Sequence, residues 1–188
     1  MTPKLSSNAC AQTGRNLAAP FEISTAYKPS GHMGENNSVQ TRSVEGVRAD
    51  LKPGLCTKVS YKSVGEPRWA GVYWQVPPNN WGDKSGLRVV DASIISFWAV
   101  GEEGGEIVEF KAGGIEGKQY TDSFGVSLGN VRLTQQWKRF EISLKGHNLS
   151  SVIGAFAWIA TSDDNPGGLT FYLDAINYEK SPPASGKK

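Results

Sequence analysis

The chain has 188 residues, the length of one ordinary domain, which leaves no room for two cores of usual size. Its 20 basic and 18 acidic side chains nearly balance, and this excludes a dedicated nucleic-acid binder, which concentrates basic residues on one face. No apolar run reaches the roughly 18 residues that a membrane span needs. Six tryptophans, six tyrosines, seven phenylalanines, 22 glycines and 10 prolines favour short strands joined by turns over a helical bundle.

Both ends of the chain lack periodicity. Residues 1–19 are predicted to form a flexible leader, residues 20–180 the folded domain, and the Pro-, Ser- and Lys-rich residues 181–188 a flexible tail. Cys10 and Cys56 allow two readings. A bridge between them would stabilise the fold by about 4 kcal/mol and indicate export. In the other reading, Cys10 is a free thiol in the leader.

Eight short runs rich in β-branched and aromatic residues alternate with turn clusters such as GEEGG and SDDNPGG. In chain order they are 39–44, 57–62, 71–76, 94–100, 107–112, 138–144, 153–160 and 170–178. They predict an all-β fold, an antiparallel β-sandwich of the jelly-roll type. The segments 77–93 and 113–133 are predicted to be loops long enough to carry binding groups.

Alternation within three of these runs assigns side chains to faces. In GVYWQV, IISFWAV and EIVEFKA one set of alternate residues is apolar and is predicted to face the core. The opposite set points outward: Tyr73, Gln75, Ser96, Trp98, Glu109 and Lys111. If the three strands are neighbours in one sheet, this face combines flat aromatic rings with hydrogen-bonding groups.

That combination suits sugars, which have apolar C–H faces and hydroxyl edges. Trp81 is a further candidate because an indole in the polar loop PPNNWGDKSG either meets a ligand or folds back to cover the core. The alternative for Trp98 is burial between the sheets, with its face assignment reversed.

Longer segments carry a family resemblance. The run LTQQWKRFEISLKG, followed by GAFAWIATSDDNPGGLTFYLDAINYE, resembles the C-terminal half of galactose-binding-like β-jelly-roll carbohydrate-binding modules. SFWAVGEEGGEIVEFKAGG resembles a strand pair of the same superfamily, and FEIS resembles its first strand. The resemblance covers residues 20–180 and does not name a glycan.

The resemblance implies a structural calcium ion that ties the first strand to the last. The matching positions are Glu22 and Asp174, with Glu35 or Asn37 completing the shell, and such oxygens are the ligands that Ca²⁺ prefers. Ala175 departs from the pattern, because many relatives carry a second Asp there. The alternative is that these carboxylates are ordinary strand-end residues.

The resemblance also implies a non-catalytic module, exported, that binds a polysaccharide on a concave sheet face and is tethered to a glycan-degrading enzyme. The residues expected to bind are Tyr73, Gln75, Trp98, Glu109 and Lys111, with Trp81 at the rim. One alternative is a structural or protein-interaction β-sandwich without a glycan site. Another is a sandwich glycoside hydrolase that would use two carboxyl groups such as Glu109 and Glu141.

Overall fold

The computed structural model describes residues 16–47 and 53–180, which form thirteen strands and two short 3₁₀ helices. The strands are β1 Asn16–Ala18, β2 Phe21–Glu22, β3 Lys28–Gly34, β4 Val39–Val47, β5 Pro53–Tyr61, β6 Trp69–Gln75, β7 Arg88–Val90, β8 Ile94–Gly101, β9 Ile107–Gly113, β10 Gly125–Arg132, β11 Lys138–Ser143, β12 Gly154–Thr161 and β13 Leu169–Glu179. The 3₁₀ helices are Ile23–Thr25 and Asn36–Ser38. No helix in these two segments is long and apolar enough to cross a membrane.

Two antiparallel sheets pack face to face. The five-stranded sheet has the order β10-β9-β12-β6-β3, and the six-stranded sheet has the order β11-β8-β13-β5-β4, with β2 also paired to β13. A separate parallel pair joins β1 to β7. The predicted fold class, an antiparallel jelly-roll sandwich, is confirmed.

Phenylalanine rings fill the space between the sheets. Phe97 on β8 and Phe110 on β9 are completely buried, and their ring centroids lie 4.7 Å apart across the core. Phe156 on β12 approaches Phe97 to 5.0 Å, and Phe140 stacks on Phe97 from the margin. Burying each such ring contributes about 1.5–3 kcal/mol. These residues therefore form the core that the alternation predicts.

Four strands differ from the prediction, and one of them is β3, which precedes the first predicted run. Strand β10 lies in the predicted loop 113–133, β7 lies in the predicted loop 77–93, and β1 lies within the predicted leader. Cys10 and residues 181–188 are outside the described residues, and so is any pairing of Cys10 with Cys56, which is buried on β5.

Candidate functional site

The alternation places side chains on the correct side of each strand, but the three strands do not share a sheet. Tyr73 on β6 and Lys111 on β9 face outward from the five-stranded sheet, whereas Trp98 belongs to β8 in the six-stranded sheet. Because both sets point away from the core, Trp98 and Ser96 lie on the opposite side of the sandwich. The predicted single face is therefore wrong, and its members form two separate surfaces.

We call the outward side of the five-stranded sheet the β6 face. Its register defines two rows across neighbouring strands. The first row is Ser127, Lys111, Ala157, Tyr73 and Gly31, and the second is Asn130, Glu109, Ile159, Gly71 and Met33. Charged and hydroxyl groups thus occupy the β9–β10 side, and apolar groups occupy the β3–β6–β12 side.

The apolar side has a floor of small and flexible residues. A Cβ on Gly71 would lie 2.8 Å from Met33 Cε and 3.0 Å from Ile159 Cγ1, so these two side chains meet above the glycine. Half-buried Trp69 begins β6 and points to the same face by alternation. The floor therefore offers C–H groups and one indole to a ligand.

Tyr73 supports this surface from below. Its side chain is 4% exposed, its ring makes an edge contact with Trp81 at 5.9 Å, and its hydroxyl donates to Gly113 O at 2.9 Å. Burial, together with the nearby charges of Asp122 and Glu109, raises the pKa of Tyr73, so the hydroxyl remains a donor. The half-buried Trp81, rather than Tyr73, presents a ring to solvent.

Trp81 is held in place by a loop built around Asn80. The Asn80 side chain is 3% exposed, and its Oδ1 accepts bonds from the N–H groups of Gly82, Asp83 and Lys84. Its Nδ2 donates to the carbonyls of Val76 and Lys84, both at 2.9 Å. This polar centre fixes the backbone on either side of the indole.

A second loop, residues 114–124, covers the neighbouring part of the β6 face. Ile115 packs on Tyr73, and Asp122 accepts backbone N–H bonds from Ile115, Ile153 and Gly154. Burial raises the pKa of Asp122 to about 6, although these three bonds favour its ionised form. Asp122 thus anchors the loop to the start of β12.

The two loops touch each other at Gly82. Tyr120 N donates to Gly82 O at 3.0 Å, and Lys118 forms an ion pair with Asp83 at 2.9 Å. Gly82 has φ of 98°, and a Cβ there would lie 2.5 Å from Tyr120 O. Only glycine therefore permits this contact.

The polar side of the β6 face carries one acid and one base. Glu109 accepts a bond from Ser127 Oγ at 2.7 Å. Lys111 is half-buried, and its ammonium has no hydrogen bond or ion pair with any residue of the two described segments.

Gln75, predicted to bind a ligand, is out of reach. Its side chain is completely buried, and a Cβ on Gly31 would lie 2.5 Å from its Cδ. Neither amide atom has a hydrogen-bond partner within the described part of the chain. Gly31 therefore covers Gln75 and separates it from the surface of the β6 face.

Trp98 is half-buried on the outer side of the six-stranded sheet. Its register partners are Arg139 on β11 and Asp174 on β13. Nearby on the same sheet, Glu102 accepts bonds from Lys58 and Tyr172, and these bonds lower the pKa of Glu102. This surface is rich in charged groups that already have partners.

The predicted calcium ligands do not assemble as one set. Glu35 accepts a bond from Tyr61, which pairs with Leu169 at the start of β13, whereas Glu22 pairs with Asn177 near its end. Eight strand residues span about 25 Å, so Glu35 and its neighbour Asn37 cannot share an ion with Glu22. No group of three or more His, Cys, Asp or Glu suited to a metal occurs in residues 16–47 and 53–180.

Glu22 and Asp174 remain neighbours on the outer side of the six-stranded sheet. Asp174 pairs with Trp98 on β8, and Asn177, the partner of Glu22, pairs with Ser96. Because Ser96 and Trp98 are two residues apart, the bulge in β13 places Asp174 two β8 positions from the row that contains Glu22. The Glu22 carboxylate also accepts bonds from Ser24. The register therefore places Glu22 and Asp174 near each other and Glu35 elsewhere.

The carboxyl pair considered for hydrolysis is separated by the core. Glu109 faces outward from the five-stranded sheet, and Glu141 faces outward from the six-stranded sheet, where it pairs with Arg139. Glycosidases need their two carboxyl groups within about 10 Å across one bond. Glu109 and Glu141 cannot act as such a pair.

A groove of about 670 Å³ lies away from the β6 face. It runs between the turns 102–106 and 164–168, beside Gln40 and Ser60. Among the described residues that line it, the aromatic side chain is that of Tyr61, which is 1% exposed. The groove therefore offers no ring surface on which a sugar could stack.

Trp69 and Met33 are two residues of the β6 face that the face assignment from the sequence does not include. Trp69 lies four residues before Tyr73 on the same side of β6, so the same alternation could have found it. Met33 lies in KPSGHMG, whose proline and two glycines hide the strand.

Known structures share this fold. A family 30 carbohydrate-binding module superposes with a TM-score of 0.58 at 16% identity, covering 87% of this chain and 99% of that one. A family 11 module from Clostridium thermocellum, in complex with a β-1,3-1,4-mixed-linked tetrasaccharide, gives 0.53 at 13% identity, covering 86% and 94%. An exo-β-agarase gives 0.56 at 10% identity, with 87% of this chain matched to 25% of the agarase chain.

Sequence comparisons add no closer assignment, because no protein-family model and no curated protein matches the chain. The structural matches cover nearly the whole of the family 30 and family 11 modules. The chain therefore has the β-jelly-roll fold of carbohydrate-binding modules.

Proposed function

We propose that the chain is a non-catalytic carbohydrate-binding module that holds a polysaccharide on the β6 face. The observation that carries the proposal is the composition of this face. Half-buried Trp69 and Trp81 border an apolar floor, and Glu109 and Lys111 stand beside it. Indole rings and C–H groups match the faces of sugar rings, and the charged side chains match their hydroxyl edges.

The spacing along β6 supports binding along a chain of sugars. Trp69 and Tyr73 are four residues apart on one strand face, which is about 13 Å, and Trp81 rests on Tyr73. Rings at this separation suit more than one sugar unit. The module would therefore contact consecutive units of a polymer.

The structural likeness to known carbohydrate-binding modules supports two parts of the proposal: that the chain is non-catalytic, and that its partner is a glycan-degrading enzyme. The family 11 neighbour was crystallised with a mixed-linked β-glucan tetrasaccharide, and the agarase neighbour carries the same fold in a quarter of its chain. We propose that this chain likewise serves a glycan-degrading enzyme outside the cytoplasm by raising its local concentration at the polymer.

We also propose a calcium site, with fewer side-chain ligands than the family resemblance implies. Glu22 and Asp174 would hold the ion between β2 and β13, with backbone carbonyls supplying further oxygens. Glu35 instead closes a hydrogen-bond network with Tyr61, Val64 and Gly65.

The test is affinity electrophoresis in gels containing mixed-linkage β-glucan, hydroxyethyl cellulose, xylan or agarose. We expect retardation by at least one polymer, and Trp81→Ala or Trp69→Ala should raise its Kd about thirtyfold, since losing a central aromatic contact costs about 2 kcal/mol. Trp98→Ala is the matched control, because it removes the same ring from the opposite sheet.

Two results would contradict the proposal. Unretarded migration in all four gels would favour a structural or protein-interaction sandwich. Loss of binding in Trp98→Ala alone would move the site to the six-stranded sheet. Melting curves of the variants would show that each keeps its fold.

A further inference from the structure

We infer that Lys111 makes the β6 face selective for glycans that carry an anionic substituent, a carboxylate or a sulfate. The inference rests on the proposed function and specifies its ligand. It starts from a corner of the face where three groups converge: the Lys111 ammonium, the Tyr73 hydroxyl and the backbone of Gly114.

The geometry of this corner leaves room for a ligand atom. A Cβ on Gly114 would lie 3.8 Å from Lys111 Nζ and 3.9 Å from Tyr73 Oη, so both polar atoms border the same point. Gly114 is exposed and has φ of 86°, a conformation that favours glycine. A ligand can therefore approach the backbone closely between the two side chains.

The Lys111 ammonium has no ion-pair partner among the described residues, although the buried Asp122 carboxyl group lies close enough to raise the pKa of Tyr73. Glu109, the nearest acid on the strand, bonds to Ser127 and forms no ion pair with Lys111. On the adjoining loops, Lys118 pairs with Asp83, and Glu116 is exposed to solvent, which weakens its interaction with the ammonium. The Tyr73 hydroxyl already donates to Gly113 O.

The charge of the unmatched ammonium distinguishes an anion from a neutral hydroxyl. A charge-assisted hydrogen bond from Lys111 to an anion is about twice as strong as a hydrogen bond between neutral groups. A neutral hydroxyl can accept the same bond without the charge. We expect the difference to favour the anionic glycan about tenfold.

The experiment compares polymers that share a backbone and differ in charge, at fixed ionic strength. Carboxymethyl cellulose is paired with hydroxyethyl cellulose for the carboxylate, and κ-carrageenan is paired with desulfated κ-carrageenan for the sulfate. Affinity electrophoresis measures Kd for the full chain and for Lys111→Met, Lys111→Arg and Lys145→Met. Lys145 is exposed in the turn after β11, so its variant removes the same charge elsewhere.

The expected result is an anionic-to-neutral preference of about tenfold in the unmodified chain and in Lys145→Met. Lys111→Met should abolish this preference, because it should raise the Kd of the anionic polymer about tenfold more than the Kd of its neutral partner, and Lys111→Arg should retain part of it. The pair that shows the preference identifies carboxylate or sulfate.

Equal binding within each pair, or a preference that Lys111→Met leaves intact, would overturn the inference and keep the proposed function. Equal loss of preference in Lys111→Met and Lys145→Met would also overturn it, since net charge would then be the cause. Absence of binding to every polymer would overturn the proposed function itself.

Discussion

Tyr73 and Asp122 are buried, yet they decide the shape of the β6 face. Tyr73 backs the Trp81 ring, and Asp122 ties residues 114–124 to β12 through three backbone bonds. Neither side chain is exposed enough to stack on a sugar. At this scale, binding depends on supporting residues as much as on residues that contact the ligand.

Asp122 should make stability depend on pH. Its pKa is about 6 in the folded chain against 3.8 ordinarily, so its contribution is fully present below pH 3.8 and is lost as pH rises through 6. The change amounts to about 2–3 kcal/mol. Urea unfolding from pH 4 to 7.5 should show the unmodified chain losing stability relative to Asp122→Asn, whose amide does not titrate.

The charged and titratable groups around Asp122 bear on this comparison. The charge of Glu116 raises the pKa of Asp122, and the charge of Asp122 in turn raises the pKa values of Tyr27, Tyr73 and Tyr178. The tyrosines stay neutral throughout the tested range, because burial raises their pKa values. Parallel stability profiles for the two proteins would show that Asp122 does not titrate between pH 4 and 7.5.

At the scale of elements, the hydrogen bonds of Asn80 organise the loop 77–86. Asn80→Ala removes five hydrogen bonds from this loop but none from the sheets. We expect the Kd for the retarding polymer to rise about tenfold, because Trp81 loses its fixed orientation and must be reordered on binding. Affinity electrophoresis measures this change.

Hydrogen exchange should locate the effect of Asn80→Ala. Amides of residues 77–86 should exchange faster, while those of β6 and β12 keep their protection. Asn148→Ala is the control, since Asn148 caps a turn through Ser150 on another loop. Unchanged exchange at residues 77–86 would contradict the role of Asn80.

The strands that could be predicted are those with apolar alternation. Strands β3 and β10 escape prediction because KPSGHMG and GVSLGNVR are rich in glycine and, in β3, proline. Both are edge strands of the five-stranded sheet, where a strand needs partners on one side only. Edge position therefore explains why their sequences carry so little pattern.

At the scale of the whole molecule, alternation tells which side of a strand faces the core and not which strands are neighbours. Phe97 and Phe110 are both inward, and the core lies between them. Their strands, β8 and β9, follow one another in sequence and belong to different sheets. The outward residues beside them, Trp98 and Glu109, were therefore predicted to share a face that the fold divides.

Calcium should stabilise the whole sandwich if Glu22 and Asp174 bind it. Calcium at a hundred times its Kd would contribute about 2.7 kcal/mol, which raises the Tm of a chain of this size by about 5–10 °C. Differential scanning calorimetry with calcium and with excess chelator measures the difference. Glu22→Gln should abolish it.

Glu35→Gln is the control that distinguishes loss of calcium binding from a general loss of stability. Glu35 bonds to Tyr61, and the β13 partners of Tyr61 and Glu22 are about 25 Å apart, so the Glu35 variant should lower Tm equally with and without calcium. An identical melting curve in calcium and in chelator for the unmodified chain would remove calcium from the proposal.

The backbone contact at Gly82 also joins the motions of the two loops. The hydrogen bond from Tyr120 N to Gly82 O joins residues 77–86 to residues 114–124, so we expect the two loops to move together. A sugar bound to Trp81 would reduce the motion of both loops, including the backbone at Gly114. The next sugar would then meet a surface already ordered, and affinity would grow faster with oligosaccharide length than contacts alone provide.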